Sequence, residues 1–208
     1  MSRGRSIDRR AHRAVPVAPG RLRPGGWSLA LAFFVLAACT DQDRNLVTPG
    51  IQSVEGAYTV RTPISWSRLP VPGGTGILWT VDGPMLEQLR LYAGLVSGQT
   101  LGKMVSYESV PSFAPGMTAK EVASVVLDTA RARGAIDLEM HDLRSAPFGT
   151  LTGFRFEYSF HSGLPVRGIA RGALQDGLLY LITFEAPAGY YFDRYAPAAE
   201  SVMESVVM

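Results

Sequence analysis

The sequence predicts an α+β domain, with a mostly antiparallel sheet of about seven strands sandwiched by helices. Three observations predict this class. Apolar and polar residues alternate with a period of two along 136–141 and again along 152–160, as they do in half-buried strands. A capped helical stripe precedes them over about 119–133, and an Asp-Gly pair at 176–177 indicates a tight hairpin. Strands joined by short turns pair antiparallel. The helices are expected to pack on the faces of the resulting sheet.

The positive charge of the chain is confined to its beginning. The 208 residues include 20 Lys+Arg and 18 Asp+Glu, a formal net charge of +2. Residues 1–38 contain seven arginines and one aspartate, a net +6, so residues 39–208 carry 13 basic and 17 acidic side chains, a net −4. A mildly acidic domain gives no reason to expect nucleic acid as a partner.

Residues 1–38 are typical of a secretory signal peptide. The arginines form a positive region, and an uncharged run follows over Gly25–Thr40 with an apolar centre at Leu29–Ala38. As a helix, ten apolar residues extend about 15 Å, half of the hydrocarbon core of a bilayer. This segment is therefore predicted to be a removable signal and not a permanent transmembrane helix.

The end of the apolar run resembles the bacterial lipobox. Leu36, Ala37 and Ala38 precede Cys39, the single cysteine of the chain. The resemblance implies recognition of the first three residues by the signal peptidase, diacylglycerol on the thiol of Cys39, and acylation of the new amino terminus. Thr40, which is not Asp, implies delivery to the outer membrane. The alternative is that Cys39 is a small apolar residue at the end of an ordinary signal peptide.

Residues 39–56 lack a sustained period and contain turn formers, so they are interpreted as a lipidated tether before a globular domain at 57–208. The first half of that domain is predicted to consist of short strands. They are expected at Tyr58–Thr62, 64–69 and 77–81, and again at 86–95, where a helix fits less well because Asp82-Gly83 offers a hairpin turn. A long loop is expected at 97–115.

A helix is expected over about 119–133. Thr118 and Glu121 have the spacing of a capping box, and Gly134 provides a left-handed stop. Between these residues an apolar stripe recurs at helical spacing at Val122, Val125, Val126 and Ala130.

The remaining elements are four strands and a second helix. Strands are expected from 136 onward, at 152–160, at 166–175 and at 178–184, the last so apolar that it should be a central strand covered on both faces. The final helix is expected over about 196–207, with Pro197 in its first turn.

This order of elements resembles the PsbP-like α/β/α sandwich, which includes DcrB-like bacterial lipoproteins. The residues that carry the resemblance are Tyr58–Trp66, a strand followed by Pro and Trp, and Leu179–Val206, an apolar strand followed by Glu-Ala-Pro and a helix. It covers residues 58–207. The resemblance implies a non-catalytic accessory or binding domain.

The sequence contains no motif of a common catalytic class. There is no Gly-x-Ser-x-Gly elbow and no P-loop, and if Cys39 is lipidated no thiol remains. Only two histidines follow the signal peptide, too few for a zinc enzyme. We therefore expect no enzyme activity, no cofactor and no resident metal.

Three residue groups could still carry function. Asp137, Glu139 and His141 share a strand face, where the two carboxylates are expected to pair with Arg155, Arg167 or Arg171; a metal site is the alternative. A row of aromatic residues, expected to be core, could instead line a pocket for an apolar ligand; its members are Phe154, Phe156, Tyr158 and Phe160. An aromatic cluster before the last helix is a possible partner surface; it comprises Tyr190, Tyr191, Phe192 and Tyr195.

Together these features predict a lipid-anchored cell-envelope protein, held through Cys39 at the outer membrane and facing the periplasm. Its domain is expected to bind another envelope protein without catalysis. The alternative is a periplasmic carrier of a small apolar ligand or a metal ion.

Overall fold

The computed structural model describes residues 45–71, 74–102 and 110–208. The signal peptide and the lipobox predicted at 1–39 lie outside the described residues. Among the residues described, no helix combines the length and apolarity needed to cross a bilayer.

The strands in the described part of the chain form two antiparallel sheets. The strands are β1 (Leu46–Val47), β2 (Gly50–Val54), β3 (Tyr58–Thr62), β4 (Trp66–Leu69), β5 (Ile77–Thr80), β6 (Gln88–Leu95), β7 (Ile136–Phe148), β8 (Leu151–Ser162), β9 (Leu164–Gln175) and β10 (Leu178–Pro187). The main sheet has eight strands in the order β1-β4-β5-β6-β10-β9-β8-β7, and β2 pairs with β3 in a second, two-stranded sheet. The α+β class is confirmed, with ten described strands in place of about seven.

Helices α1 (Ala119–Ala132) and α2 (Tyr190–Glu204) cover the two faces of the main sheet. Under α1 lies a core of the aromatic row of β8 and the helix stripe that includes Val122 and Val126. On the other face, α2 packs with the β2–β3 hairpin over Ile182 and Phe184 of β10. Since β10 is the fifth of eight strands and is covered on both faces, its predicted central position is confirmed.

Two local structures predicted from the sequence, a helix cap and a hairpin turn, are present. The capping box of α1 is present, with the backbone N–H of Glu121 donating to Thr118 Oγ1 at 3.3 Å and that of Thr118 donating to Glu121 Oε2 at 2.7 Å. The hairpin between β9 and β10 turns at Asp176 and Gly177, whose φ angles of 53° and 76° are those of a type I′ turn.

The segment interpreted as a tether is corrected by the structure, because part of it is folded. Leu46 and Val47 pair with Ser67 and Trp66 of β4, and β2 pairs with β3 along its whole length. Val47 and Val54 are buried. Two- and five-residue strands are too short to show a period, so only their partners reveal them.

The predicted start of the last helix is also wrong. Helix α2 begins at Tyr190, six residues before the predicted start, and ends at Glu204, so Pro197 lies in its interior. Phe192, Tyr195, Ala199 and Val202 are buried at spacings of three and four. This packing outweighs the missing N–H of the proline, which leaves one carbonyl of the preceding turn without its helical donor.

Two neighbouring strands approach so closely that one position admits only glycine. Gly168 of β9 pairs with Tyr158 of β8, and a Cβ at Gly168 would lie 2.2 Å from Cζ of the Tyr158 ring. The ring is fully buried, so it has no room to move aside. The phenol of Tyr158 is therefore held over β9 by the absence of a side chain there.

We expect Gly168→Ala to lower the free energy of unfolding by about 1–3 kcal/mol, because the added methyl group overpacks a rigid aromatic core. The measurement is urea unfolding followed by circular dichroism. Gly102→Ala is the control, since its Cβ would meet only a Thr129 methyl group at 3.4 Å. Equal stability of the two variants would contradict the close approach of Tyr158.

Candidate functional site

A cleft of about 520 Å³ opens beside the carboxyl end of α1. Its walls come from five elements: the 84–87 loop, the start of β6, the end of α1, the β8–β9 turn and the end of β10. Clefts of 300–1,000 Å³ hold small organic ligands in many proteins. Charged and apolar side chains from several elements converge in this cleft.

The floor of the cleft is a buried carboxylate. Glu185 of β10 is 7% exposed. Its two oxygens accept hydrogen bonds from Arg133 Nη2 at 3.0 and 3.1 Å, while Tyr158 donates at 3.0 Å and Gln88 Nε2 at 3.3 Å. Arg133 is the residue that caps the end of α1. The ion pair therefore connects the last turn of the helix to the central strand.

The surroundings of Glu185 decide its charge. Burial alone would raise the pKa of its carboxyl, but the charges of Arg133 and Arg90 and the hydrogen bonds from Arg133 and Tyr158 together hold that pKa below its usual value. The charge of Glu185 raises the pKa of Arg133 in turn. Burial and the nearby Glu185 raise the pKa of Tyr158 well above its usual value. At neutral pH the site is thus a carboxylate, a guanidinium and a neutral phenol.

A second arginine lines the same cleft. Arg90 of β6 donates from Nε to Gln88 Oε1 at 2.9 Å. Gln88 thereby connects Arg90 to Glu185 through its two amide atoms. Within the described residues, no carboxylate lies within 4.0 Å of the Arg90 guanidinium.

The opposite wall of the cleft is apolar. Met85 is 89% exposed and Leu164 is 61% exposed, and both line the cleft together with Phe160, Val166 and Pro187. Large apolar side chains left in water beside a cavity are typical of a surface that meets a ligand or a partner. The cleft therefore has a charged floor and an apolar wall.

The aromatic cluster predicted as a partner surface is divided by the structure. Tyr190 is 64% exposed and Tyr191 is half-buried, whereas Phe192 and Tyr195 are buried. Phe192 packs against Phe184 with ring centroids 5.8 Å apart, because its position in α2 faces the sheet. The four side chains do not form one surface.

Tyr195 serves the packing of α2. Its hydroxyl donates to Asp82 Oδ2 at 2.5 Å, and burial with this hydrogen bond raises the pKa of Tyr195 to about 12. The contact joins α2 to the turn that precedes β6.

Contrary to expectation, Asp137 and Glu139 form no ion pairs with arginines in the described structure; each lies beside a histidine. Asp137 lies 3.6 Å from His161, and Glu139 lies 3.6 Å from His141. The strand register shifts between Ile136 and Glu139, and Asp137 has a φ of +52°, so Asp137 leaves the regular face on which Glu139 and His141 stay.

The arginines named as partners instead meet other acids. Arg155 contacts Asp142, Glu157 and Glu200. Arg167 contacts Glu157 and Asp193, and Arg171 contacts Glu204. The described ranges hold no cluster of three His, Cys, Asp or Glu suited to a metal ion.

The contacts around His141 do not form a catalytic triad. Its Nε2 lies 3.0 Å from Ser159 Oγ and 3.6 Å from Glu139 Oε2, so the hydroxyl and the carboxylate meet the same ring nitrogen. A triad needs the acid on the other nitrogen, where it orients the base. Glu139 and His141 are exposed on the edge strand β7, and Ser159 is half-buried on β8.

The aromatic row of β8 is core, as expected. Its ring centroids follow one another at 6.2, 5.7 and 6.3 Å beneath α1. Only the last member, Phe160, reaches the wall of the cleft. Cys39 and the other lipobox residues, Leu36, Ala37 and Ala38, lie outside the described residues.

Sequence reasoning missed the residues on the cleft floor. One signal could have found them: Glu185 follows the apolar strand expected to be covered on both faces. A carboxylate in such a strand needs a cationic or hydrogen-bonding partner. The sequence does not name that partner, because Arg133 is 52 residues away.

Solved structures similar to this chain include a cyanobacterial protein. No family model matches the sequence, and no curated protein matches it. The chain is similar to the solution structure of cyanobacterial PsbP (CyanoP) from Synechocystis sp. PCC 6803, with 16% identity, 77% of this chain and 93% of that chain covered, and a TM-score of 0.49. At this identity and TM-score, no property of the cyanobacterial protein passes to this chain.

We expect Glu185→Gln to lower the free energy of unfolding by about 1–3 kcal/mol at pH 7, because it leaves the partly buried Arg133 without its counter-charge. The difference from the unchanged protein should shrink as the pH falls below 4.5. The pKa of Glu185 is lower in the folded state, so its stabilisation is full above the unfolded value and is lost as the pH falls through the folded one.

Urea unfolding between pH 3 and pH 7 measures this effect. Glu139→Gln is the matched control, because the Glu139 side chain is 70% exposed, and it should change stability by less than about 0.5 kcal/mol. A pH-independent difference for Glu185→Gln would contradict a charged Glu185 in the folded protein.

Proposed function

We propose that this chain is a lipid-anchored, non-catalytic binding protein of the cell envelope, and that the cleft beside α1 is its binding site. The observation that carries the proposal is the cleft itself, with about 520 Å³ of space between a charged floor and an apolar wall. That combination fits a small ligand: polar groups orient it and apolar surface holds it. The alternative function predicted from the sequence, a small-ligand carrier, is thus favoured by the geometry.

The titratable groups of the cleft support binding over catalysis. Glu185 is anionic and accepts four hydrogen bonds, so it is a poor proton acceptor at neutral pH. Tyr158 is fully buried and its pKa is raised, so it is a poor proton donor. General acid–base work needs a pKa near the operating pH, and neither group is tuned in that direction.

The lipobox supports the anchor. Two or three acyl chains at Cys39 would hold the protein stably, since each buried methylene contributes about 0.8 kcal/mol. Seven residues, 39–45, separate the lipid from β1, a span of at most about 25 Å. The proposed location is the outer membrane, facing the periplasm, with the domain close to the bilayer surface.

A second candidate is an accessory protein that docks another envelope protein. Met85 and Leu164 favour it, because both apolar side chains stand exposed at the mouth of the cleft. A protein partner would cover them in the way that apolar interface cores are covered.

We expect Cys39→Ala to abolish metabolic labelling with an alkyne fatty acid and to move the protein from the detergent phase to the aqueous phase in a Triton X-114 partition. The reason is that Cys39 is the sole thiol of the chain. Thr40→Ala is the control and should stay labelled. Label on the Cys39→Ala protein would refute the anchor.

We expect Ser162→Trp to remove any small molecule that copurifies with the protein. Ser162 is exposed and lines the cleft, so an indole there would fill the space without disturbing the core. The measurement is native mass spectrometry of the protein purified from membranes. Ser53→Trp is the control, because Ser53 is an exposed strand residue in the other sheet.

A bound mass that persists in Ser162→Trp would contradict the cleft as the site. A reproducible protein partner that is lost in Ser162→Trp, with no small mass in the unchanged protein, would favour the accessory function instead.

A further inference from the structure

The charged side chains that line the cleft differ in how many ion-pair and hydrogen-bond partners they have within the protein. This difference indicates a ligand class. We propose that the cleft binds an amphiphile with a single carboxylate headgroup and a short alkyl tail, the headgroup on Arg90 and the tail along the apolar wall. This inference rests on the proposed binding role of the cleft and specifies its ligand.

Three of the four charged side chains that line the cleft have partners within the protein that satisfy their charge. Arg133 and Glu185 neutralise each other. The carboxylate of Glu87 lies in the turn after β5. There it accepts hydrogen bonds from Thr80 Oγ1 at 2.6 Å and from the backbone N–H of Asp82 at 3.1 Å. Its negative charge is thus bound within that turn.

Arg90 acts on Glu185 through its charge, but within the described residues it forms no ion pair of its own. Its Nε is used by Gln88, and the described residues place no carboxylate on its guanidinium. Gln88 in turn donates its amide to Glu185, which fixes the orientation of the arginine. The Arg90 guanidinium also contacts the Tyr92 side chain, and where it lines the cleft it offers a carboxylate a charge-assisted hydrogen bond.

The apolar wall decides against a bare inorganic anion. Leu164, Val166 and Pro187 line the cleft on the side of the β8–β9 turn, and Met85 lines it on the side of the 84–87 loop. Apolar surface of this kind gains about 25 cal/mol for each Å² that a ligand removes from water. A headgroup alone would leave that surface wet, whereas an alkyl tail would cover it.

Isothermal titration calorimetry with octanoate tests the proposal. The full chain is held in detergent-free lipid nanodiscs, and empty nanodiscs are titrated as the blank. Octan-1-ol and octylammonium serve as neutral and cationic probes of the same length, and acetate as a headgroup without a tail. The expected order is octanoate tightest, octan-1-ol weaker, and octylammonium and acetate without measurable binding.

Two variants and a control locate the contacts. Arg90→Gln should weaken octanoate binding by at least about tenfold, the loss expected for one charge-assisted contact, and leave octan-1-ol unchanged. Arg68→Gln should match the unchanged protein, because Arg68 is an exposed strand arginine outside the cleft. Leu164→Asp changes an exposed side chain and should exchange the preference, weakening octanoate and admitting octylammonium.

The outcomes separate the ligand class from the binding role. No octanoate binding, or octanoate binding that Arg90→Gln and Leu164→Asp leave intact, would overturn the carboxylate inference. If a copurifying mass is still lost in Ser162→Trp, the binding role stands and only the ligand class fails. If Ser162→Trp abolishes octanoate binding as well, the site assignment is supported.

Discussion

The ion pair between the buried Glu185 and the partly buried Arg133 is the interaction on which the cleft depends. It joins the end of α1 to the central strand of the main sheet, with two hydrogen bonds of 3.0 and 3.1 Å. A buried pair of this kind contributes little net stability relative to apolar residues, but losing one partner is costly. Its effect is therefore positional: the helix end stays over the strand, and the space beside it becomes a cleft.

The aromatic row beneath α1 supports that pair from below. Tyr158 reaches Glu185 because β9 offers only a glycine, Gly168, under its ring. The phenol supplies a hydrogen bond without a charge, so the carboxylate is satisfied while the core around it stays apolar. Packing and electrostatics are thus linked at one residue, and the same side chains that form the core also hold the floor of the site.

Local features of the fold were predictable, since their physics lies within a few residues. The capping box at Thr118 and the turn at Asp176-Gly177 needed no partner from elsewhere in the chain. Errors occurred where a distant partner decides. The strand at Leu46–Val47 exists because Trp66 and Ser67 pair with it, and the early start of α2 depends on the sheet that receives Phe192. Pairing outweighed local propensity at both places.

The sequence by itself determined the α+β class, the central apolar strand and the expectation of a lipid anchor at Cys39, because these depend on periodicity, on local turns and on a short contiguous motif. Only the tertiary structure decided the candidate site. Arg90, Arg133 and Glu185 are 95 residues apart from first to last and meet because β6 pairs with β10 while α1 ends above both. Long-range strand pairing carries no local signature, so no pattern along the chain could place these charges together.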